Sequence, residues 1–421
     1  MTPTLRNDWS LGINNQADGR RLPRGGVVAG KQQHGAVRDL VNLDPHSDGT
    51  LKLRAGFTRL YQGTSVRGLL ALGRQLLLAD GPDLVAYSID TSSAQVIGQI
   101  DSAGTFAGAV FNGELFICTA TEALRYDGTS LRKWGVTHCG AQPVPTIAQG
   151  GGIPAGAYQL AVTFENAHGE EGGTTLPLRF NIDQDGASLA LTMPAPPEGG
   201  TAHLYVSTAG GDVLYHQAAG IGPLSLSRLA DDGARMGTER LREPVSGGQV
   251  LAYNGVLLTA VGNVLWSTLP LRPHLRDAAR GFIQYADTIG MAIVAGQSGD
   301  DGAVSGVFVA ADKTYFVTDL EDQNSQREVL PYGAVPGTAQ RLPDGRVTWM
   351  THYGQIVGTA DGQVQLLSAD RFAPDLASHG AGGVLERDGN HFIVTTMAGA
   401  ARDNPLCARD YYRAEITPND A

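Results

Sequence analysis

Short apolar runs, some alternating and some continuous, recur along the whole chain and are separated by turns that carry glycine. Asn112-Gly113 precedes ELFICTA, Asn254-Gly255 precedes VLLTAVG, Asp344-Gly345 precedes RVTWMT, and Asp388-Gly389 precedes NHFIVTT. Such a pair between apolar strands predicts a type I′ hairpin, because both central residues need positive φ. Partner strands follow at ALRYDG, NVLWST, QIVGTA and QVQLLS, the last two joined by Asp361-Gly362. QLLLA with LVAYSI, and GVFVA with TYFVTD, complete the series.

Equivalent points fall near Val66, Gly108, Gln249, Ile289, Thr338 and Gly382. Their spacing of about 40 to 50 residues, one long gap aside, is the period of four-stranded propeller blades. The expectation is therefore an all-β chain: a β-propeller of about six blades, closed into a ring that leaves few exposed edges. VRDLVNLD and GTLKLRAGF are expected to supply the closing strand. The alternative architecture is an open pair of β-sandwiches.

The long gap reads differently. In GAYQLAVTFENAHGEE, Tyr158, Leu160, Val162 and Phe164 alternate with Gln159, Ala161, Thr163 and Glu165, the period of a half-buried strand. SLALTM, HLYVST and VLYHQA follow at the spacing of an immunoglobulin- or fibronectin-like sandwich. The domain expectation is residues 1–141 for an N-terminal segment and the first blades, 142–237 for the inserted sandwich, and 238–421 for the remaining blades and ring closure. Excision of 142–237 is expected to leave the rest folded.

Composition supports a turn-rich β protein: glycine fills 56 of 421 positions and charged residues only 17%, against a usual share near 25%. The formal net charge of -11 argues against general nucleic-acid binding, which needs cations to neutralise phosphates. Cys118, Cys139 and Cys407 are too few and too widely spaced for a disulfide framework or a zinc pair, and are expected to be reduced and mostly buried. The opening MTPTLRNDWSLGINNQ lacks an apolar h-region, so a soluble protein without a secretion signal is expected.

Candidate chemistry is sparse. GGVVAGKQ at 25–32 fits part of a phosphate-binding loop, but Gln32 stands where Ser or Thr would hold magnesium and the flanks are no strand and helix, so a flexible basic loop is expected. NIDQDG at 181–186 imitates an EF-hand start, yet Thr192 takes the place of the bidentate Glu, which favours a polar hairpin turn. SGDDG at 298–302 reads as a turn. His138 and Cys139 lack the second pair that a zinc site needs. G-x-S-x-G and H-E-x-x-H motifs are missing. No catalytic, cofactor-binding or metal-ligating residue is assigned, and no cofactor is expected.

Residues 1–67 invert the overall charge: ten basic residues (Arg6, Arg20, Arg21, Arg24, Lys31, Arg38, Lys52, Arg54, Arg59, Arg67) against five acidic ones (Asp8, Asp18, Asp39, Asp44, Asp48). This end could dock on an acidic partner, or its arginines could be ordinary solvated ones. Trp134, Trp266 and Trp349 are expected in blade packing.

SLGINNQADGRRLPRG followed by AVRDLVNLDPHSDGTLKLRAGF resembles the N-terminal signature of bacteriophage tail proteins of the nozzle or hub type, related to packaged-DNA-stabilising propellers. LRKWGV with PVPTI, GIPAGAYQLAVTFENAHGEEGG, LAYNGVLLTAVGNVLWSTLP and VTWMTHYGQIVGTADGQVQLLS resemble later landmarks of that family. The resemblance implies a virion structural protein of the tail without a catalytic centre. It also implies a cyclic, sixfold homo-oligomer below the portal and adaptor, contact with tail fibres or the host surface, and non-specific passage of DNA during ejection. Synthesis would be in the bacterial cytoplasm. Two other roles stand beside it: a receptor-binding tail-tip or fibre protein, and a propeller hydrolase or lyase acting on polysaccharide.

Overall fold

The computed structural model describes residues 8–399 apart from 19, 24, 29–30, 39, 41–42, 46–47, 55, 57, 297–304, 321, 323–324, 368–370, 375 and 388–389. Cys407, the SGDDG segment, the Asp388-Gly389 turn and residues Arg6, Arg24 and Asp39 lie outside that set. The described chain is all-β and contains no α-helix. It divides into two compact units, residues 63–285 with 320–323, and residues 1–62 with 286–319 and 324–421.

In the first unit, three four-stranded antiparallel meanders occur. The first runs Val66–Leu72, Gln75–Asp80, Asp83–Ser88 and Ser93–Gln99, and the second Ala107–Phe111, Glu114–Cys118, Ala123–Tyr126 and Leu131–Lys133. The third joins Gln249–Tyr253, Val256–Val261, Val264–Ser267 and Phe282–Gln284. Adjacent sheets stack face to face, which explains why ELFIC is a continuous apolar run. Leu115 and Ile117 pack with Leu77 and Leu84 of the first meander, while Phe116 and Cys118 pack with Val250 and Leu257 of the third.

The second unit repeats the arrangement. Its four-stranded meanders are Met291–Ala295, Gly306–Ala310, Thr314–Val317, Arg327–Leu330, and Gln340–Arg341, Val347–Thr351, Gly354–Gly358, Val364–Leu366. Phe308 and Trp349 fill the core between them, and Met350, on the other face, packs with Val335 and Ala377. Ala377 opens a long two-stranded hairpin, Ala377–Arg387 with Asn390–Gly399. The six equivalent points therefore fall in or within two residues of six successive first strands, the last belonging to a sheet of two strands among the described residues.

Turn chemistry divides by residue type. Asn112 and Gly113 both take positive φ (50° and 81°), as do Asn254 and Gly255 (44° and 79°), the type I′ geometry expected. The Asp-Gly pairs differ: at 344–345 and 361–362 only the glycine has positive φ, and each turn spans three residues between Leu342 and Arg346 or Thr359 and Gln363. The Asp344 carboxylate accepts from the Arg346 N–H at 3.0 Å, an Asx-type bond that holds the aspartate right-handed and leaves glycine to close the loop. Other hairpins turn on Gly73, Gly81 and Gly262 as the first of two central residues, the II′ form.

The N-terminal segment departs from expectation. Gly26–Val28 pairs with Lys31–Gln33, so the loop expected at GGVVAGKQ carries a small hairpin. Leu43–Pro45 pairs with Leu51–Leu53 as its own two-stranded sheet and adds to no meander among the described residues. Buried Asp8 accepts hydrogen bonds from the Ser10 amide and hydroxyl at 3.0 and 2.7 Å. Asn15 exchanges two amide bonds with Ala373, 2.8 and 3.0 Å long.

Between the second and third meanders lie two further sheets. One orders Thr146–Ile153, Ala187–Met193 and Gly222–Leu226. The other orders Leu178–Ile182, Gly156–Glu165, Thr201–Ser207 and Leu214–Gly220. They enclose a core of Ile153, Leu160, Val162, Leu189, Leu204 and Val206. NIDQDG crosses from one sheet to the other and is no hairpin turn: Ile182 ends a strand of the four-stranded sheet and Ala187 begins one of the three-stranded sheet. Asp185 pins this crossing by accepting from the Ala155 N–H at 2.7 Å.

Leu160 is fully buried in that core, so Leu160→Ala is expected to cost about 2 to 5 kcal/mol, read as a lower urea midpoint. Gly173→Ala would place a Cβ 1.9 Å from the Leu241 carbonyl oxygen and is expected to destabilise by about 1 to 3 kcal/mol in the same assay.

Candidate functional site

The densest buried charge lies where the inserted sheets meet the second and third meanders. Arg125, on Ala123–Tyr126, has a side chain only 7% exposed. Its Nη1 is 2.8 Å from Glu170 Oε1, and its Nε is 3.1 Å from Glu114 Oε2. Arg132 closes the group, with Nη2 donating to Glu114 Oε1 at 2.6 Å. Glu114, Arg125 and Arg132 sit on three neighbouring strands of one sheet, where the register sets Arg132 opposite Arg125 and Glu114 diagonal to it on the same face, two residues from Phe116. Glu170 reaches them from the insertion, held by its amide bond to Asn166 Oδ1 and by Asn166 Nδ2 donating to its Oε2 at 2.8 Å.

His274, from the third meander, approaches Glu170 Oε1 at 3.8 Å. Burial lowers its pKa from 6.5, with Glu170 opposing and the nearby arginines adding to the lowering. Burial alone would raise Glu170, but hydrogen bonds from Asn166 and Arg125 outweigh it and hold the carboxyl below its ordinary value of 4.5. Further ties flank the cluster. Lys133 meets Glu198 at 2.9 Å, the Arg242 guanidinium donates to the Thr174 carbonyl, and Trp134 Nε1 donates to the Pro273 carbonyl at 2.7 Å.

A second group covers the outer face of the insertion's four-stranded sheet. His203 Nδ1 and His216 Nε2 are 3.1 Å apart, and His203 Nε2 is 3.1 Å from Glu165 Oε2. The Tyr205 hydroxyl donates to Glu171 Oε1 at 2.9 Å, and the Thr163 hydroxyl donates to the same oxygen at 2.5 Å. Burial, and then the Glu171 charge, push the Tyr205 phenol upward. Thus the adjacent residues Glu170 and Glu171 of one turn serve the two groups.

These assemblies fasten structure. Among the described residues, no group of three or more His, Cys, Asp or Glu side chains is placed to hold a metal ion. His138 turns to Glu243, with both carboxylate oxygens at 3.0 Å, while the Cys139 thiol is buried and donates to the Ala141 carbonyl. Burial pushes the Cys118 thiol up to about 12, which keeps it protonated and unreactive. Trp134 and Trp349 are fully buried, whereas Trp266 carries the Arg276 guanidinium 4.3 Å above its ring. The basic N-terminal end is partly engaged: Arg54 pairs with Asp44 at 2.9 Å, and Arg67 donates to the carbonyls of Asp101 and Gly104.

Neither charge group was marked by sequence reading. The face bearing Ala161, Thr163 and Glu165 reads as the solvent side of a half-buried strand, yet Ala161 and Thr163 are fully buried. The signal lay in the Glu170-Glu171 doublet, two acids in a turn that ends between strands.

No family model matches the chain, and no curated protein matches it. Among solved structures, apo AztD from Citrobacter koseri overlaps 81% of this chain and 78% of its own, at 8% identity and a TM-score of 0.31. The extracellular domain of BT4673 from B. thetaiotaomicron overlaps 78% of this chain and 57% of its own, at 11% identity and a TM-score of 0.23. The N-terminal domain of Nup159 overlaps 72% and 75%, at 10% identity and 0.25. Overlaps this loose carry no function across.

Glu170→Gln is expected to lower stability by about 2 to 4 kcal/mol, because it removes charge from a buried pair. Asp90→Asn, at the exposed Arg74–Asp90 pair, should cost under about 1 kcal/mol. Because Glu170 is lowered, its contribution is complete above pH 4.5 and fades as pH falls through the lowered value. Urea titrations of wild type and Glu170→Gln should converge on acidification.

Proposed function

We propose that the chain is a non-enzymatic structural protein of a bacteriophage tail, of the nozzle or hub type. In this reading the stacked meanders are blades of a propeller of about six, and the inserted sheet pair is an immunoglobulin-like module between the second and third blades. The observation that carries it is where the signature residues lie. Ser10 Oγ meets His34 Nδ1 at 2.7 Å and Asn15 pairs with Ala373, so the opening segment on which the resemblance rests serves as a tie between separate parts of its unit.

Three further features support the reading. Meanders packed face to face, with Glu114–Cys118 and Val347–Thr351 covered on both sides, suit a load-bearing piece, since strands are held by ladders and by neighbouring sheets. The module is fastened through Arg125 and Glu170. A net charge of -11 suits a wall past which DNA slides, because cationic walls would hold phosphates. Subunits would associate side to side into a sixfold ring with portal, adaptor or fibre proteins as neighbours, located in the virion.

Antibodies raised against the purified protein are expected to label the tail of intact particles. Labelling absent from particles would overturn the proposal, and specific adhesion of the purified protein to host cells would favour a receptor-binding role. In a gel-shift assay at about 0.1 M salt, duplex DNA is expected to migrate unretarded.

A further inference from the structure

We infer that the His203–His216 pair is an acid-sensitive latch on the outer face of the inserted module, holding the segment 234–236 against the strand Leu214–Gly220. Two neutral imidazoles can share one proton across 3.1 Å, one ring nitrogen donating and the other accepting. Two imidazolium rings cannot: both facing nitrogens become donors, and like charges meet at hydrogen-bond distance. One proton on the pair is tolerable because Glu165 faces His203 Nε2. A second proton would fall on His216, where the Glu171 charge offsets only part of the penalty that burial and His203 impose.

The local backbone makes this pair matter. The register between Thr201–Ser207 and Leu214–Gly220 shifts after Leu204, so that Tyr205 faces His216 and Gln217 is the extra residue. This bulge brings His216 to His203 while the Gln217 side chain clamps Ala230 through both its amide atoms, at 2.7 and 2.8 Å. The segment after that clamp lies beside the same strand. His216 N–H donates to the Ala234 carbonyl at 2.9 Å, and Met236 N–H donates to Leu214 at 3.0 Å. Met236 also packs on Ala161, Tyr205 and Leu214. The ring that would be expelled and the backbone that holds the segment thus belong to one residue.

The groups facing His216 are the rings of His203 and Tyr205 from Thr201–Ser207, with centroids 5.3 and 5.4 Å away, and the charge of Glu171 from the turn, while Glu165 of Gly156–Glu165 lies on the far side of His203. Arg235 of the segment itself is exposed and pairs by its backbone with Tyr215. Burial first, and His203 second, lower the pKa of His216 from 6.5, with Glu171 opposing. A lowered histidine stabilises the fold above its unfolded value and loses that stabilisation as pH falls through its folded value, so the latch is closed at neutral pH and opens on acidification. Glu171, adjacent to Glu170, places the latch one residue from the charge group that fastens the module.

The test is amide hydrogen exchange on the full-length protein between about pH 7.5 and about pH 5, corrected for intrinsic exchange. Segments 214–220 and 234–236 are expected to lose protection by about tenfold or more, while Glu114–Cys118 stays protected. In His216→Gln, which keeps a polar side chain but cannot charge, the same segments should show no such pH dependence. Equal protection across the range in the wild type, or an unchanged loss in the variant, would overturn the inference. Should the variant not fold, ring 15N shifts of the wild-type histidines decide: two well-separated protonation steps are expected for the pair, and two independent titrations would refute the latch.

Discussion

A guanidinium placed in a nearly dry site must be met by carboxylates, and this requirement organises the larger unit. Arg125 cannot be satisfied by its own sheet alone: Glu114 comes from the neighbouring strand, but Glu170 comes from the inserted pair of sheets. Burying the cation therefore commits the module to one position against the second meander, and His274 extends the same contact to the third. Removing one partner would strand a buried charge, which costs more than the pair is worth in isolation. A module inserted through glycine- and proline-rich connections is in this way fastened by side chains and not by its linkers.

The all-β class and the four-stranded meanders could be read from residue order. Continuous runs such as ELFIC and VTWMT are buried on both faces, and their apolar character needs no partner to be recognised. Asn-Gly announced two hairpins because asparagine accepts positive φ. Asp-Gly misled on turn length, because the aspartate carboxylate binds the amide two residues on and changes the loop. The closing strand expected near GTLKLRAGF formed a separate small sheet, since pairing of such short segments is decided by long-range contacts that periodicity does not encode.

The charge groups were not legible for a related reason. Alternation tells that a strand has two faces, but not whether a second layer covers the polar one. Thr163, Glu165, His203 and Tyr205 look like solvent-facing residues in their own strands. Only the fold, which brings Met236 onto Ala161, Tyr205 and Leu214 and Glu171 to the Thr163 and Tyr205 hydroxyls, converts that face into a partly buried network. Asn15 lies in a segment that resembles a family signature, and its physical role is to join that segment to Ala373.

In the tail role proposed above, the packed sheets, the module locked by buried charge and the acidic composition would serve a piece that stays rigid while a polyanion moves past it. The most direct measurement of that account is an electron cryomicroscopy map of the intact particle with this subunit placed. The account predicts copies arranged in a ring around the tail channel, each with its module in the orientation that the Arg125–Glu170 contact imposes. Copies found away from the channel axis, or modules swung free of that contact, would contradict it.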